Sequence, residues 1–230
     1  GLFCIYTGFW GFYAACNIPI FDLGPEYGLG DGVAFFTATN IYVTPTTLSG
    51  ITMNFLMSLS GGLLAGYWVS KGDPFWTYSG GLAGIITASA GNDLYHPIQA
   101  MIIAGIGTMI AYKLHYWVER KFKIDDAVGA VAVHGYAGVV GLIICGFVLW
   151  GYPSSGYDGL GYAAINPVGM IIGAFIMFVV LGFIPGYVIA KILHAAGKLR
   201  IPREVELAGL DYNIMEAAKK DEKAVSSSNR

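Results

Sequence analysis

The stretch DDAVGAVAVHGYAGVVGLIICGFVLW, residues 125–150, decides the fold class of this 230-residue chain. It opens with two aspartates and continues for 24 positions in which His134 is the only ionisable side chain apart from a tyrosine and a cysteine. A helix of this length, built mainly from glycine, alanine and branched aliphatic residues, can cross a bilayer core of about 30 Å. The stretch therefore predicts a transmembrane helix with an imidazole near its middle.

The composition of the whole chain agrees with this interpretation. The chain is 55% hydrophobic and only 12% charged, it contains 33 glycines, and its mean hydropathy is +0.59. These values are unusual for a soluble domain and typical of a protein with several membrane spans. The net charge of −2 gives no basic field for nucleic acid. We expect an all-α polytopic membrane protein in contact with the lipid bilayer.

The apolar runs and the turn-rich segments between them predict about six transmembrane helices. The second predicted helix could begin several residues after the start of its apolar segment, because TPTTLSG is poorly suited to contact lipid. In the last predicted helix, Pro185 predicts a kink or break. Residues 1–197 are thus predicted to form the transmembrane region, and residues 198–230 a cytoplasmic tail. The predicted spans are 1–20, 44–70, 76–92, 97–117, 127–151 and 163–195.

The positive charges predict the orientation of these spans. Cytoplasmic loops carry lysine and arginine in excess, and every such residue here lies in the second connection, around the fourth connection, or at and beyond the end of the last span. The first, third and fifth connections carry acidic residues and no lysine or arginine. Six spans then place both ends of the chain in the cytoplasm, with the protein in the plasma (inner) membrane.

His134 lies eight residues after Asp126, about 12 Å along a helix that rises 1.5 Å per residue, and therefore near the bilayer midplane. One interpretation is a hydrogen bond across a packed helix interface. The other is a pore or relay residue, since an ionisable group at this depth must face protein or a water-filled path. The neutral ring offers one donor and one acceptor to a small solute. The small residues on the same face as His134 are Ala130, Gly138, Gly141 and Cys145.

The remaining ionisable groups have simpler interpretations. Asp125 and Asp126 precede the fifth span, where carboxylates cap free backbone N–H groups and favour the positive end of the helix dipole. His96 is expected to be a solvated loop residue, whereas His115 and His194 are expected at the cytoplasmic span ends as interfacial anchors. The cysteines have neither metal-site spacing nor a disulfide pattern, and we predict no metal, no cofactor and no catalytic residue.

At this level of detail the sequence resembles the ammonium transporter family (Amt/Mep/Rh). DDAVGAVAVHGYAG resembles the family's tenth helix, with its aspartate pair followed by a histidine-glycine pair. YTGFWGFYAAC is similar to the sixth-helix motif, and WVSKGDPFWTYSGGLAGIITASAG to the connection between the seventh and eighth helices. LRIPREVELAGLD is similar to the cytoplasmic tail motif. The four motifs occur in the family's order, between Phe3 and about Asp211.

The resemblance implies an ammonium transporter-like helical bundle. Family members have eleven spans, made of two inverted five-helix repeats and a final long helix, and assemble as trimers with one pore per subunit. The motifs of this chain match spans six to eleven, which implies the C-terminal part of a longer transporter. One of the two pore histidines and part of the outer vestibule then belong to the other half.

The resemblance also implies roles for single residues. His134 matches the second of the twin histidines that line the pore, and Phe12 matches one of the phenylalanines that gate it from outside. Trp10 joins these substrate-site candidates, because aromatic rings can hold an ammonium ion by cation–π contact. Ser89 stands where the family often has threonine on the eighth helix.

Three departures from the family pattern concern the outer binding site and the seventh helix. Cys16 stands where many members have a serine that hydrogen-bonds ammonium, and Tyr13 where they have asparagine. A thiol is a poor hydrogen-bond acceptor. The family's asparagine-threonine pair is not clearly present, and Asn40 and Asn54 are both candidate remnants. The substrate could accordingly have shifted toward methylammonium or another small amine.

The resemblance thus predicts a non-enzymatic, channel-like transporter that passes ammonium as ammonia through a hydrophobic, histidine-lined pore. The alternative is an ammonium sensor with little flux, which signals through its C-terminal tail. The implied partners are ammonium or ammonia, the other subunits of a homotrimer, and a PII-type regulator at the tail in bacterial members.

Overall fold

The computed structural model describes residues 1–16, 48–152 and 164–209, and within these ranges the chain is mainly helical. A π-helical stretch, Val131–Tyr136, leads into α5, and another, Ile176–Phe183, joins α6 to α7. Asn40 and the tail from residue 210 lie outside the described residues. The α-helices are α1 Leu2–Cys16, α2 Leu48–Ser70, α3 Pro74–Ala88, α4 Pro97–Phe122, α5 Ala137–Val148, α6 Pro167–Phe175, α7 Ile184–Ala195 and α8 Arg203–Ala208.

Helices α1 to α7 overlap the six predicted apolar segments, and the fold confirms an all-α membrane protein. In the described part of the chain, four helical stretches are long and apolar enough to cross a membrane. Helices α1 and α3 have 15 residues each and match the first and third predicted spans. Helix α2 is described from Leu48, and residues 44–47 of its predicted segment lie outside the described residues. The four long stretches are Leu48–Ser70, Pro97–Phe122, Val131–Val148 and Pro167–Ala195.

The predicted boundary between membrane region and tail at residue 197 stays a prediction. The chain separates into two compact units, Gly1–Phe178 and Val179–Arg230. In the second unit the helical hydrogen bonding returns from π to α at Ile184, one residue before Pro185. That proline cannot donate a backbone hydrogen bond, so an irregular turn beside it is expected.

Glycines bring α2 and α3 into backbone contact in the first unit. A Cβ atom added to Gly84 would lie 2.7 Å from Gly62 Cα and 2.8 Å from the Ser58 carbonyl oxygen. One added to Gly80 would lie 2.7 Å from the Gly62 carbonyl oxygen. Such contact suits a membrane protein, because apolar burial does little to drive helix association within lipid and close packing must supply the attraction.

Side-chain caps and prolines define where three of the helices begin. Asp73 Oδ2 accepts the Trp76 N–H at 2.9 Å ahead of Pro74, and Asn166 Oδ1 accepts the Gly169 N–H at 2.8 Å ahead of Pro167. His96 is exposed and caps α4 in the same way. Proline suits the first helical turn, since its missing N–H would have no helical partner there.

A buried asparagine holds α2 to the segment that connects α3 and α4. Asn54 is 4% exposed, and its Nδ2 donates to the carbonyl oxygens of Asn92 and Tyr95, each at 2.7 Å. The two N–H groups of the Asn54 amide thus tie α2 to the segment between α3 and α4. The role of Asn54 in the described structure is therefore to hold these two parts of the chain together.

Replacing Asn54 with leucine is expected to lower the free energy of unfolding, because two buried carbonyl groups lose their donor at about 1–3 kcal/mol each. The measurement is the thermal midpoint of the purified protein in detergent. Met53 on the same helix is 51% exposed, and Met53→Leu serves as the matched control, with an expected change within about 0.5 kcal/mol. Equal midpoints for the two variants would contradict this assignment.

Candidate functional site

An open cavity of about 580 Å³ lies in the first unit, between α1, α3, the helix that carries His134, and the segment after α6. Its walls are predominantly apolar. Among the described lining residues, only His134 and Tyr13 have ionisable side chains, and none is an acid, a lysine or an arginine. The lining consists of Phe9, Phe12, Tyr13, Ile86, Ser89, Ala90, Asn92, His134, Gly138, Leu142, Met177 and Phe178.

His134 lies in the π-helical stretch Val131–Tyr136, and its side chain is exposed in the described structure. Gly138 and Leu142 follow it at four-residue intervals and line the same cavity. A Cβ atom on Gly138 would lie 3.1 Å from the Phe178 ring. Short π-helical segments inside α-helices occur frequently at functional sites, since they change the direction of a side chain relative to the helix.

The start of this helix is fixed by Asp126. Its Oδ1 accepts the Val131 N–H at 3.2 Å and its Oδ2 accepts the Ala132 N–H at 3.0 Å. The Asp126 carboxylate therefore lies at the positive end of the helix dipole, and the helix begins at Val131, three residues before His134. Asp125 is exposed and lines a different cavity.

Helix α1 supplies aromatic side chains to the cavity. Phe12 is 55% exposed and packs edge to face against Phe9, with ring centroids 5.8 Å apart. Trp10 does not line the cavity, and its Nε1 donates to Thr52 Oγ1 at 3.0 Å. Cys16 ends the helix, but its side chain lies outside the described part of the structure. Of the predicted aromatic candidates, the cavity thus contains Phe12 and not Trp10.

Ser89 and Tyr13 form a polar contact in the cavity wall. The Ser89 hydroxyl lies 3.0 Å from both the Tyr13 hydroxyl and the Ile85 carbonyl oxygen, and the Tyr13 hydroxyl donates to that carbonyl. Tyr13 is 3% exposed. Both hydroxyls therefore have hydrogen-bond partners within the protein.

Sequence reasoning did not select Asn92, which lines the same cavity. It is 2% exposed, and neither atom of its side-chain amide has a hydrogen-bond partner. A buried amide without partners costs stability, which in native proteins often marks a water or ligand site. No pattern in the sequence distinguishes Asn92 from an ordinary loop asparagine.

Asp93 follows Asn92 in the connection between α3 and α4. Burial raises the pKa of the Asp93 carboxyl above its usual range, and hydrogen bonding to backbone offsets only part of this rise. The carboxylate is therefore disfavoured there relative to a solvated aspartate. The described residues contain no group of three or more histidine, cysteine or acidic side chains able to hold a metal.

The fold and the cavity define a class of protein: a helical membrane protein with an apolar cavity that contains a histidine. The profile of the Ammonium Transporter Family matches residues 1–220. The chain belongs to this family, as the motifs predicted. Its members are transporters, which agrees with the prediction of a non-enzymatic protein.

Similar proteins span about twice the length of this chain. It is 32% identical over 209 residues to the ammonium transporter Amt1 of Methanocaldococcus jannaschii, which covers 87% of the chain and 50% of that protein. It is 34% identical over 215 residues to Amt2 of the same organism, with 92% and 43% covered. A solved structure, a sensor Amt protein, matches with a TM-score of 0.55 at 24% identity over 71% of the chain and 41% of its own, which supports the fold.

Proposed function

We propose that the chain forms part of a channel-like ammonium transporter, and that the cavity around His134 belongs to its conduction path. Family membership supports the substrate class. The observation that carries the proposal is the position of His134, which is exposed to a cavity whose other walls are almost wholly apolar. An ionisable residue in a membrane span is costly unless it faces such a path.

The chemistry of the walls favours ammonia over ammonium within the path. An apolar cavity without carboxylates cannot compensate the desolvation of a cation. Ammonium therefore gives up its proton to water at the outer mouth, and ammonia enters. A neutral imidazole has one N–H donor and one acceptor nitrogen, and ammonia can likewise donate and accept. The imidazole of His134 then supplies hydrogen bonds to ammonia in place of those that ammonia made with water.

Aromatic side chains at the cavity have a second role in this proposal. Phe12 is half exposed and narrows one side of the cavity beside Phe9. Its ring face can attract ammonium before the proton is lost. Trp10 and Cys16 are proposed to act in recruitment outside the described cavity, and Ser89 to position the wall through Tyr13.

We propose further that additional transporter helices complete this cavity. The chain spans about half the length of the relatives it matches, and the cavity residues Phe12 and Met177 are 55% and 58% exposed. Family resemblance supplies the rest of the assembly as proposals: a second pore histidine, a homotrimer in the inner membrane, a C-terminal tail in the cytoplasm, and a PII-type regulator at that tail.

Uptake of labelled methylammonium in cells that lack their own ammonium carriers tests the proposal. The native gene product is expected to restore saturable uptake and growth on low ammonium. Membrane insertion without uptake would overturn transport and favour the sensor alternative. If unlabelled ammonium lowers the uptake of labelled methylammonium, the two ions share a site on the transporter, whereas passive leakage of methylammonium would not be lowered.

A further inference from the structure

A second cavity, of about 470 Å³, lies at the end of the bundle where α4 ends and the helix carrying His134 begins. Unlike the first cavity it is polar. Its titratable lining comes from the cap of α3, from α4, and from the segment before Val131. The lining residues are Asp73, Phe75, Trp76, His115, Tyr116, Glu119, Asp125, Asp126 and Ala127.

Within this cavity His115 touches the carboxylate that caps the next helix. The distance from His115 Nδ1 to Asp126 Oδ2 is 3.5 Å, and the two side chains are only 10% and 13% exposed. The same Asp126 carboxylate accepts the Val131 and Ala132 N–H groups. A continuous chain of contacts therefore runs from α4 to the π-helical stretch that contains His134.

The His115 ring is itself held in place. Trp76 packs against it edge to face, with ring centroids 5.0 Å apart at 69°, and Trp76 Nε1 donates to the Tyr116 hydroxyl at 2.9 Å. A ring fixed in this way loses little conformational freedom when it contacts Asp126. Because a carboxylate faces Nδ1, that nitrogen is expected to carry a proton.

We propose that His115 is a positioning residue for transport: its Nδ1–H orients Asp126, and Asp126 thereby fixes the turn that places His134 at the other cavity. The inference rests on the proposed function of His134 and extends it to a residue outside the conduction path. A carboxylate held by a donor on one side keeps a single orientation toward the two backbone N–H groups. Without that donor the carboxylate can turn toward solvent.

Two variants of the full native protein separate positioning from packing. His115→Phe keeps an aromatic ring against Trp76 but has no donor, whereas His115→Asn places an amide donor near the position of Nδ1. His115→Phe is expected to lower maximal methylammonium uptake about tenfold with KM nearly unchanged, because Asp126 loses its contact with Nδ1 while substrate binding is not altered. His115→Asn is expected to retain most of the uptake.

Hydrogen exchange at the Val131 and Ala132 amides gives a readout that needs no transport. Both amides are expected to exchange faster in His115→Phe than in the wild type or in His115→Asn. Unchanged exchange in His115→Phe, or equal uptake in His115→Phe and the wild type, would overturn the inference. Absence of uptake in the wild type would instead count against the proposed function, while the exchange result would still decide the structural step.

Discussion

Replacing His134 with alanine is expected to reduce ammonium-dependent uptake at least about tenfold, to the level of cells without the transporter. The reason is that His134 is exposed in the described cavity, whereas its other polar side chains are less accessible to a dehydrated ammonia molecule: Asn92 and Tyr13 are only 2% and 3% exposed. The Ser89 hydroxyl already contacts Tyr13 and a backbone carbonyl. The measurement is uptake of labelled methylammonium, normalised to the amount of protein in the membrane.

The variant should remain folded, which separates this result from a general loss of protein. His134 is exposed in the described structure, and substitutions of exposed residues usually change stability by less than about 0.5 kcal/mol. His194→Ala is the matched control, because His194 is also exposed and lies on α7. Uptake by His134→Ala equal to that of His194→Ala would refute the pore role of His134.

Replacing Gly84 with valine is expected to have the largest effect on stability. The new Cβ would lie 2.7 Å from Gly62 Cα and 2.8 Å from the Ser58 carbonyl oxygen, and both are backbone atoms that cannot rotate away. Helices α2 and α3 must therefore separate, at a cost of about 3 kcal/mol or more. Size-exclusion chromatography and thermal unfolding in detergent measure the loss.

Gly173→Val provides the comparison for this prediction. Apart from its own helical turns, a Cβ at Gly173 meets no atom within 4 Å in the described structure, so the same change of side chain adds no overlap with another helix of the described residues. We expect Gly173→Val to remain monodisperse and Gly84→Val to aggregate or unfold at a much lower temperature. Similar behaviour of the two variants would mean that the glycine contact between α2 and α3 is not required.

Much of the fold could be predicted because membrane helices follow from composition. A bilayer requires long apolar segments with internally satisfied backbone groups, so hydropathy alone locates them. The boundaries were less accurate. Helix α4 extends to Phe122, five residues past its predicted end, since its polar last turns project beyond the apolar run. The π-helical stretch at His134 has no sequence signature, because it depends on tertiary packing.

The candidate site was predicted only in part. His134 was found because an imidazole is conspicuous in an apolar run, and the family motif led to Phe12 and Ser89, which line the same cavity. Trp10 was expected with them but hydrogen-bonds Thr52 on α2 instead. Asn92 was missed because its burial without partners is a tertiary property.

His115 illustrates the same limit at the other end of the bundle. Its place beside lysine and tryptophan in the sequence favoured an interfacial anchor. The structure places His115 against Trp76, which lies on α3, and against Asp126, which lies in the segment after α4. Contacts between elements such as this pair cannot be inferred from helical spacing within a single segment.

The most direct test of the central claim is ammonia flux through the purified native polypeptide in liposomes. An inwardly directed ammonium gradient should change the internal pH faster than in empty liposomes, and His134→Ala should abolish the difference while His194→Ala preserves it. A rate equal to that of empty liposomes, from correctly inserted and folded protein, would contradict a conduction path at His134.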